Sequence, residues 1–294
     1  MVEKNNGLPE ISENLKVKIG IIGYGIVGMA LAGGFNQDHI SYFDKYKPSR
    51  PLEKVVKDSE FIFICLPTPM FADESGIDLS IIEENIAKIT PLTKNTDKII
   101  VIKSTVVPGT TEKFEKKYPK SKFAFNPEFL TEANSFDDFK NADRTIIGAS
   151  NNLVSRRLAM LYQIRFPKSR IYQTDPTSAE MVKYMANAYL ATKVIFANQM
   201  DALCQSLGIR YEEVKKMVVA DQRIEDTHLD VTTERGFGGK CFPKDIVALI
   251  AEADKRGVDL SLVKEVWKIN KHIRQKHDWV EIPFATSEKN DELG

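Results

Sequence analysis

One stretch near the start of the chain restricts its fold more than any other. An apolar run, Val17-Lys-Ile-Gly-Ile-Ile22, passes without a break into Gly23-Tyr24-Gly25-Ile26-Val27-Gly28 and then into Met29-Ala-Leu-Ala. A strand, three glycines at this spacing and a helical segment, in that order, make a phosphate-binding turn. The first glycine permits the tight turn, and the second lets the backbone approach a pyrophosphate. The third lets helix and strand pack closely, with helix N–H groups aimed at the phosphate. About 20 residues further on, Asp44 closes the next β-rich run, at the place of the acidic residue that accepts hydrogen bonds from a ribose. A carboxylate there repels a 2′-phosphate, so the pattern predicts NAD in preference to NADP, held by Gly23, Tyr24, Gly25, Ile26, Val27, Gly28 and Asp44. Lys45, Lys47 and Arg50 follow closely. The alternative role for Asp44 is that of a turn cap.

The rest of the first half continues this theme. β-rich runs at 17–23, 40–44, 61–66, 98–103, 122–126 and 144–149 alternate with helical patterns. Most are apolar throughout and bounded by Gly, Pro, Asn or Asp, as expected of strands covered on both faces in a parallel sheet with crossover helices. From Asp175 onward the pattern is helical. Asp175-Pro176-Thr-Ser is a good helix start, and residues 177–206 hold no Gly or Pro, which predicts one long helix ending near Gly208. Further helices are expected at 211–220, 245–256 and 259–276, with 221–243 a loop over the site. The expected class is α/β: a Rossmann-type doubly wound parallel sheet followed by an all-helical domain with a long central helix, the site lying in the crevice between them. The expected boundaries are 1–174 for the cofactor domain, 175–280 for the helical domain and 281–294 for a frayed polar tail.

Charge and cysteine usage exclude several function classes. Lys plus Arg equals Asp plus Glu at 41 each, so there is no general attraction to nucleic acid or anionic membrane. The first residues lack the apolar run of a secretion signal, and no apolar stretch is long enough to span a bilayer. Cys65, Cys204 and Cys241 form neither a paired framework nor a metal knuckle, which fits a reducing cytoplasm and predicts no metal.

The three cysteines differ in context. Cys65 sits in the apolar strand FIFICL and Cys204 late in a helix, as inert thiols do. Cys241 instead follows a glycine cluster in Arg235-Gly236-Phe237-Gly238-Gly239-Lys240-Cys241-Phe-Pro-Lys244-Asp245. At a helix start beside two lysines, its thiolate is stabilised and able to add to an aldehyde. Lys183 and Asn187 share one face of the long helix, with Glu180 one turn before; read alone, they form an exposed charged face. Glu128 and Glu132 follow the run at 122–126, where strand ends meet ligands, and serve equally well as base and positioning group or as a helix start.

Taken together, the segments resemble the UDP-glucose/GDP-mannose dehydrogenase family. The resemblance covers about Val17 to Asn270 and rests on GYGIVG at 23, LPTP at 66, GIDLS at 76, KSTVVPGT at 103, NPEFLTEA at 126 and DRTIIG at 143. AEMVKYMANAYLATKV at 179, DQRI at 221 and RGFGGKCFPKD at 235 complete the series. It implies that Cys241 is the nucleophile in a four-electron oxidation of a nucleotide sugar, UDP-glucose being the expected substrate. Lys183 and Asp245 would handle the oxyanion and the attacking water, with Asn187 and Thr105 holding that water and Glu128 accepting the hydroxyl proton. Thr68, Ser104, Glu132 and Lys244 would join the glycine loop around NAD. Phe129, Leu130, Gly236, Phe237 and Gly238 would line the sugar site, and Arg223 would reach a second subunit, implying a homodimer or larger assembly.

The family usually carries a third, nucleotide-binding domain, which the residues after Asn270 are too few to form. The resemblance therefore implies a short form, a fragment or a chain served by a partner. The loop Ile224–Glu234 also lacks the Pro-Gly that often precedes the glycine cluster. GDP-mannose and UDP-N-acetyl-hexosamines are alternative substrates. A β-hydroxyacid dehydrogenase, with one oxidation and no cysteine, and an NAD-binding regulatory subunit are the alternative classes.

Overall fold

Ile, Val and Phe fill the central strands, and the structure buries β1 (Ile19–Ile22), β3 (Phe61–Ile64) and β5 (Ile99–Ile102) completely. The structure is a computed structural model that describes residues 17–35, 39–131 and 134–288. The other strands are β2 (Ile40–Phe43), β4 (Met70–Phe71), β6 (Lys122–Phe125), β7 (Arg144–Gly148), β8 (Arg170–Thr174) and β9 (Thr286–Ser287). The helices are α1 (Ile26–Gly34), α2 (Leu52–Asp58), α3 (Ser80–Thr93), α4 (Thr110–Lys117), α5 (Ser135–Lys140), α6 (Asn152–Arg165), α7 (Pro176–Ser206), α8 (Tyr211–Val218), α9 (Cys241–Lys255) and α10 (Ser261–Ile273).

The chain forms two compact units, each assembled from separate segments. The first comprises residues 1–65, 87–103 and 111–179; the second comprises 66–86, 104–110 and 180–294. Segments 66–86 and 104–110, which a single cut at 174 would leave with the sheet, thus pack with the helical unit.

In the first unit seven strands are ordered β2-β1-β3-β5-β6-β7-β8. Strand order reverses at β1, since the chain moves outward to β2 and then returns to β3 on the other side. Such a reversal leaves a crevice beyond the strand carboxyl ends, where ligands settle. One pairing departs from the parallel expectation: β7 runs antiparallel to β6, through Phe125 and Gly148. The cause is the connection at 126–143. It keeps α5 against α1, Phe139 packing edge-on to Phe35 at 6.1 Å, so the chain enters β7 from the end at which it left β6. Strand β8 escapes the sequence pattern because Arg-Ile-Tyr-Gln-Thr is a mostly exposed edge.

The second unit is built on α7, which runs for 31 residues as the absence of Gly and Pro predicts. Tyr184, Ala188, Ala191 and Ile195 of α7 share a core with Ile246, Val247 and Leu249 of α9 and with Val266 and Trp267 of α10. The expectation of a frayed tail from residue 281 is corrected. Ala285 is buried, and Thr286 and Ser287 pair in parallel with Met70 and Phe71. Composition alone does not reveal this, because the anchoring comes from two backbone pairs and from Trp279 packing on Trp267 at 5.2 Å. Residues 289–294 lie outside the described residues.

Candidate active site

The glycine loop sits at the end of β1, as its sequence requires. Gly23 adopts a φ of +94°, a conformation that strains any residue with a Cβ. A Cβ on Gly28 would fall 2.2 Å from the carbonyl oxygen of Gly23, so only glycine permits this closeness of helix and strand. At Gly25 a Cβ would meet nothing within 4 Å, which is the open flank a pyrophosphate needs. Helix α1 begins with no side-chain cap and no acidic residue in its first turn. Its first N–H groups have no carbonyl within the helix to bond, and their partial positive charge favours an anion. These residues fit a dinucleotide.

Asp44 stands directly beside the loop. One carboxylate oxygen accepts the Tyr24 N–H at 2.7 Å and the other accepts the Tyr46 N–H at 2.8 Å. Asp44 therefore does cap a turn, and each oxygen keeps a second lone pair for a hydroxyl. Tyr24 stacks on Tyr42 with centroids 3.8 Å apart, and Lys47 donates to the Tyr24 carbonyl at 2.6 Å.

Also in the first unit, the loop after β6 carries Glu128, Phe129 and Leu130. Glu128 accepts the Leu130 N–H at 2.7 Å, Arg144 lies over the Phe129 ring at 4.6 Å, and Leu130 packs on the sheet core. The loop borders a cleft of about 380 Å³ with Lys103, Asn126 and Tyr162 among its walls. Glu132 lies outside the described residues. Cys65, which directly follows β3, has its thiol pKa pushed up to about 12 by burial.

The second unit assembles the thiol side. Glu180, Lys183 and Asn187 are 0%, 3% and 6% exposed, so the face that read as exposed and charged is in fact buried. Glu180 accepts the Gly109 N–H at 2.5 Å, docking the loop that carries Ser104 and Thr105 onto α7. Ser104 donates to the Leu66 carbonyl at 2.7 Å, and Thr68, Ser104 and Thr105 are all buried. Asn187 donates to the Asp245 carboxylate at 2.5 Å, and Lys244 is ion-paired to the other oxygen of that carboxylate. Cys241 is the first residue of α9, half-buried, one helical turn before Asp245. It thus stands at the positive end of a helix dipole.

The glycine cluster before Cys241 is clamped by residues that the sequence did not single out. Asn270 of α10 is fully buried; its side-chain oxygen accepts the Phe237 N–H at 2.7 Å and its amide donates to the Phe237 carbonyl at 3.0 Å. Asn198 accepts the Gly236 N–H at 3.2 Å, and Asp278 accepts that of Gly239. Phe237 itself is core, stacked on Trp267 at 6.1 Å. The available signal was a lone asparagine on an otherwise apolar helix face, where a buried amide must find partners. Tyr184 is likewise fully buried, on α7. Its phenol is raised by burial and by the nearby carboxylates of Asp245, Glu180 and Glu252. His228, in the loop before the cluster, lies 5.8 Å from the Phe242 ring and is held toward its neutral form by burial and by Lys193.

Arg223 projects from that loop, its guanidinium on Asp221 through Nη2–Oδ2 at 2.6 Å. Among the described residues no group of His, Cys, Asp and Glu is placed to hold a metal ion, and no helix is long and apolar enough to cross a membrane.

Comparison with known proteins decides the family. Residues 41–165 match the NAD-binding domain of the UDP-glucose/GDP-mannose dehydrogenase family, and residues 177–272 match its central domain. The chain belongs to this family. UDP-glucose 6-dehydrogenase of Rickettsia felis is 38% identical over 223 residues, which are 74% of this chain and 48% of that protein. The enzyme of the same name from Pseudomonas aeruginosa is 36% identical over 226 residues, 73% of this chain and 49% of the relative. A solved UDP-glucose dehydrogenase from Pyrobaculum islandicum superposes with a TM-score of 0.80 at 27% identity, over 90% of this chain and 70% of that one. The chain thus spans about half the length of the curated relatives it matches. The glycine loop precedes the matched NAD-binding segment, so its assignment rests on the geometry above.

Proposed function

We propose that the chain carries the dehydrogenating half of an NAD-dependent nucleotide-sugar dehydrogenase, and that its substrate is UDP-glucose, oxidised at the C6 hydroxymethyl group to a carboxylate. The observation that carries this reading is the buried Asn187–Asp245 hydrogen bond. It joins the α7 face bearing Lys183 to the α9 face bearing Cys241, so donor, carboxylate and thiol belong to one constellation. Burying such charge costs desolvation, and groups of buried ionisable residues concentrate at functional sites.

Gly23 to Gly28, Asp44, Thr68, Ser104 and Lys244 would hold NAD, whose chemistry when bound is to remove a hydride from the alcohol carbon and again from the thiohemiacetal carbon. Glu128 takes the hydroxyl proton. The Cys241 sulfur then adds to the aldehyde carbon, forming a C–S bond, while Lys183 and Asn187 donate to the oxygen that becomes negative. Once that carbon is a thioester, Asp245, Asn187 and Thr105 hold the water that attacks it. The C–S bond breaks, the thiolate leaves and the acid is released. Covalent capture keeps a reactive aldehyde from escaping between the two oxidations. Gly236, Phe237 and Gly238, already clamped, shape the loop beside the sugar.

The assembly we propose is a homodimer. Met181, Met185, Tyr189, Phe196 and Leu203 are exposed at helical spacing along α7, an apolar stripe that a second copy would cover. Arg223, exposed on its loop, is placed to leave Asp221 for a neighbour. A Tyr189→Glu variant that sediments as the wild type would remove this part of the reading.

The deciding experiment measures NADH formed per nucleotide sugar consumed, across a panel including UDP-glucose, GDP-mannose and UDP-N-acetyl-hexosamines. The expected result is about two NADH per UDP-glucose and no acid product from Cys241→Ser. One NADH, with full activity in the serine variant, would establish a single oxidation instead. NAD binding without turnover of any sugar would indicate a regulatory subunit.

A further inference from the structure

Lys103 is a buried cation that the chemistry above does not use. It directly follows β5, is 3% exposed, and bonds to the loop that follows β6. Its ammonium donates to the Asn126 side-chain oxygen at 2.9 Å, the Asn126 carbonyl at 3.3 Å and the Pro127 carbonyl at 3.4 Å. Those three acceptors are neutral and belong to consecutive residues. Three bonds from one ammonium thus converge on one short stretch of chain.

Asn126 is itself gripped from two further sides. Its amide donates to the Ile146 carbonyl of β7 at 2.8 Å, and its side-chain oxygen accepts the Tyr162 hydroxyl of α6 at 2.5 Å. The root of the loop is therefore tied to β5, β7 and α6 at once. Two residues beyond Asn126 comes Glu128, whose carboxylate folds back onto the Leu130 N–H. Lys103 and Glu128 each act on the Cys65 thiol, the cation lowering and the carboxylate raising its pKa.

A surface loop needs no buried ammonium to hold it. Desolvating that charge is unfavourable out of proportion to what a plain turn needs. We infer that Lys103 is a positioning residue for Glu128: its ammonium, closed on Asn126 and Pro127, holds the loop so that the carboxylate stands at a fixed place and angle. The inference deepens the reading of Glu128 as proton acceptor and rests on it for its catalytic consequence. Its structural content, an immobilised loop, does not. A proton acceptor displaced by about 1 Å loses rate by up to a hundredfold while ground-state binding changes little.

The test uses the full chain with Lys103→Met, which keeps the buried stem and removes the donors, and Lys103→Arg, which restores charge and donors. Hydrogen exchange reads the loop directly. In Lys103→Met the amides of Leu130 and Thr131 should exchange at least about tenfold faster, with those of β1 and β3 unchanged. Turnover should fall about tenfold to a hundredfold at an unchanged KM, and the arginine variant should recover part of it. Loop exchange equal to wild type would overturn the inference, as would loosening spread evenly over the whole first unit. Glu128→Gln separates the two layers. If it leaves turnover intact while Lys103→Met still frees the loop, the positioning stands and the role of Glu128 as proton acceptor falls.

Discussion

Replacing Asn270 by alanine should loosen the approach to the thiol, and its cost can be worked from the geometry. The substitution leaves the Phe237 N–H and carbonyl without their partner in a buried place. Each orphaned group costs about 1–3 kcal/mol, so the variant should lose roughly 3 kcal/mol of stability. Gly236 supplies an internal check. It sits at a φ of +51°, and a Cβ there would fall 2.3 Å from the Asn270 side-chain oxygen. Gly236→Ala therefore carries two penalties in the wild type, about 1 kcal/mol for the left-handed backbone and about 1–3 kcal/mol for the clash. In the Asn270→Ala background only the first remains. The double-mutant cycle should thus show a coupling of about 1–3 kcal/mol, the second substitution costing less once the first is made. Urea denaturation followed by tryptophan fluorescence is the natural assay, because Trp267 and Trp279 lie in the core that receives Phe237. Additive effects, within about 0.5 kcal/mol, would refute the clamp.

Two further outcomes follow from the first unit. Gly28→Ala places a methyl against the Gly23 carbonyl oxygen, which cannot move without unmaking the turn; NAD affinity by calorimetry should fall at least about tenfold, and unchanged affinity would remove the loop from the cofactor site. Cys65 makes a pH prediction, because burial raises its folded-state pKa from 9.0 to about 12. Above the unfolded pKa the unfolded chain binds fewer protons at this thiol than the folded one, so stability must fall as pH rises from 9.0 towards about 12, and be fully present below that window. The limiting slope is about 1.4 kcal/mol per pH unit. Compared with wild type across that window, Cys65→Ala should lose stability less steeply; parallel curves would contradict the burial.

The parts legible in the sequence are those where local chemistry and tertiary packing make the same demand. Ile99–Ile102 reads as a strand covered on both faces and is one. The glycine loop demands its turn, and the gap-free run before Ser206 demands its helix. The parts that were not legible depend on distant partners. Arg170–Thr174 becomes a strand only because β7 lies beside it, with five consecutive partner pairs. Whether Glu180 and Lys183 face solvent or protein is undecidable from periodicity, since a buried polar face and an exposed one have the same spacing. Burial there is conferred by Gly109 and Asp245, which lie 71 residues before Glu180 and 58 after Asn187 respectively. Asn270 and Lys103 went unnoticed for a related reason. Each satisfies backbone carbonyls or amides of a distant loop, and backbone needs leave no trace in residue type.

The interleaving of the two units bears on how the chain is made. Between residues 66 and 179 the emerging polypeptide lays down pieces of both by turns. On a ribosome the sheet cannot close until β8 has cleared the exit tunnel, and β4 waits for β9, which emerges much later. Until then Met70 lacks the strand that pairs with it and the α9 and α10 side chains that share its core. Cutting the gene after residue 179 would leave the second unit without segments 66–86 and 104–110, which the other product would still carry.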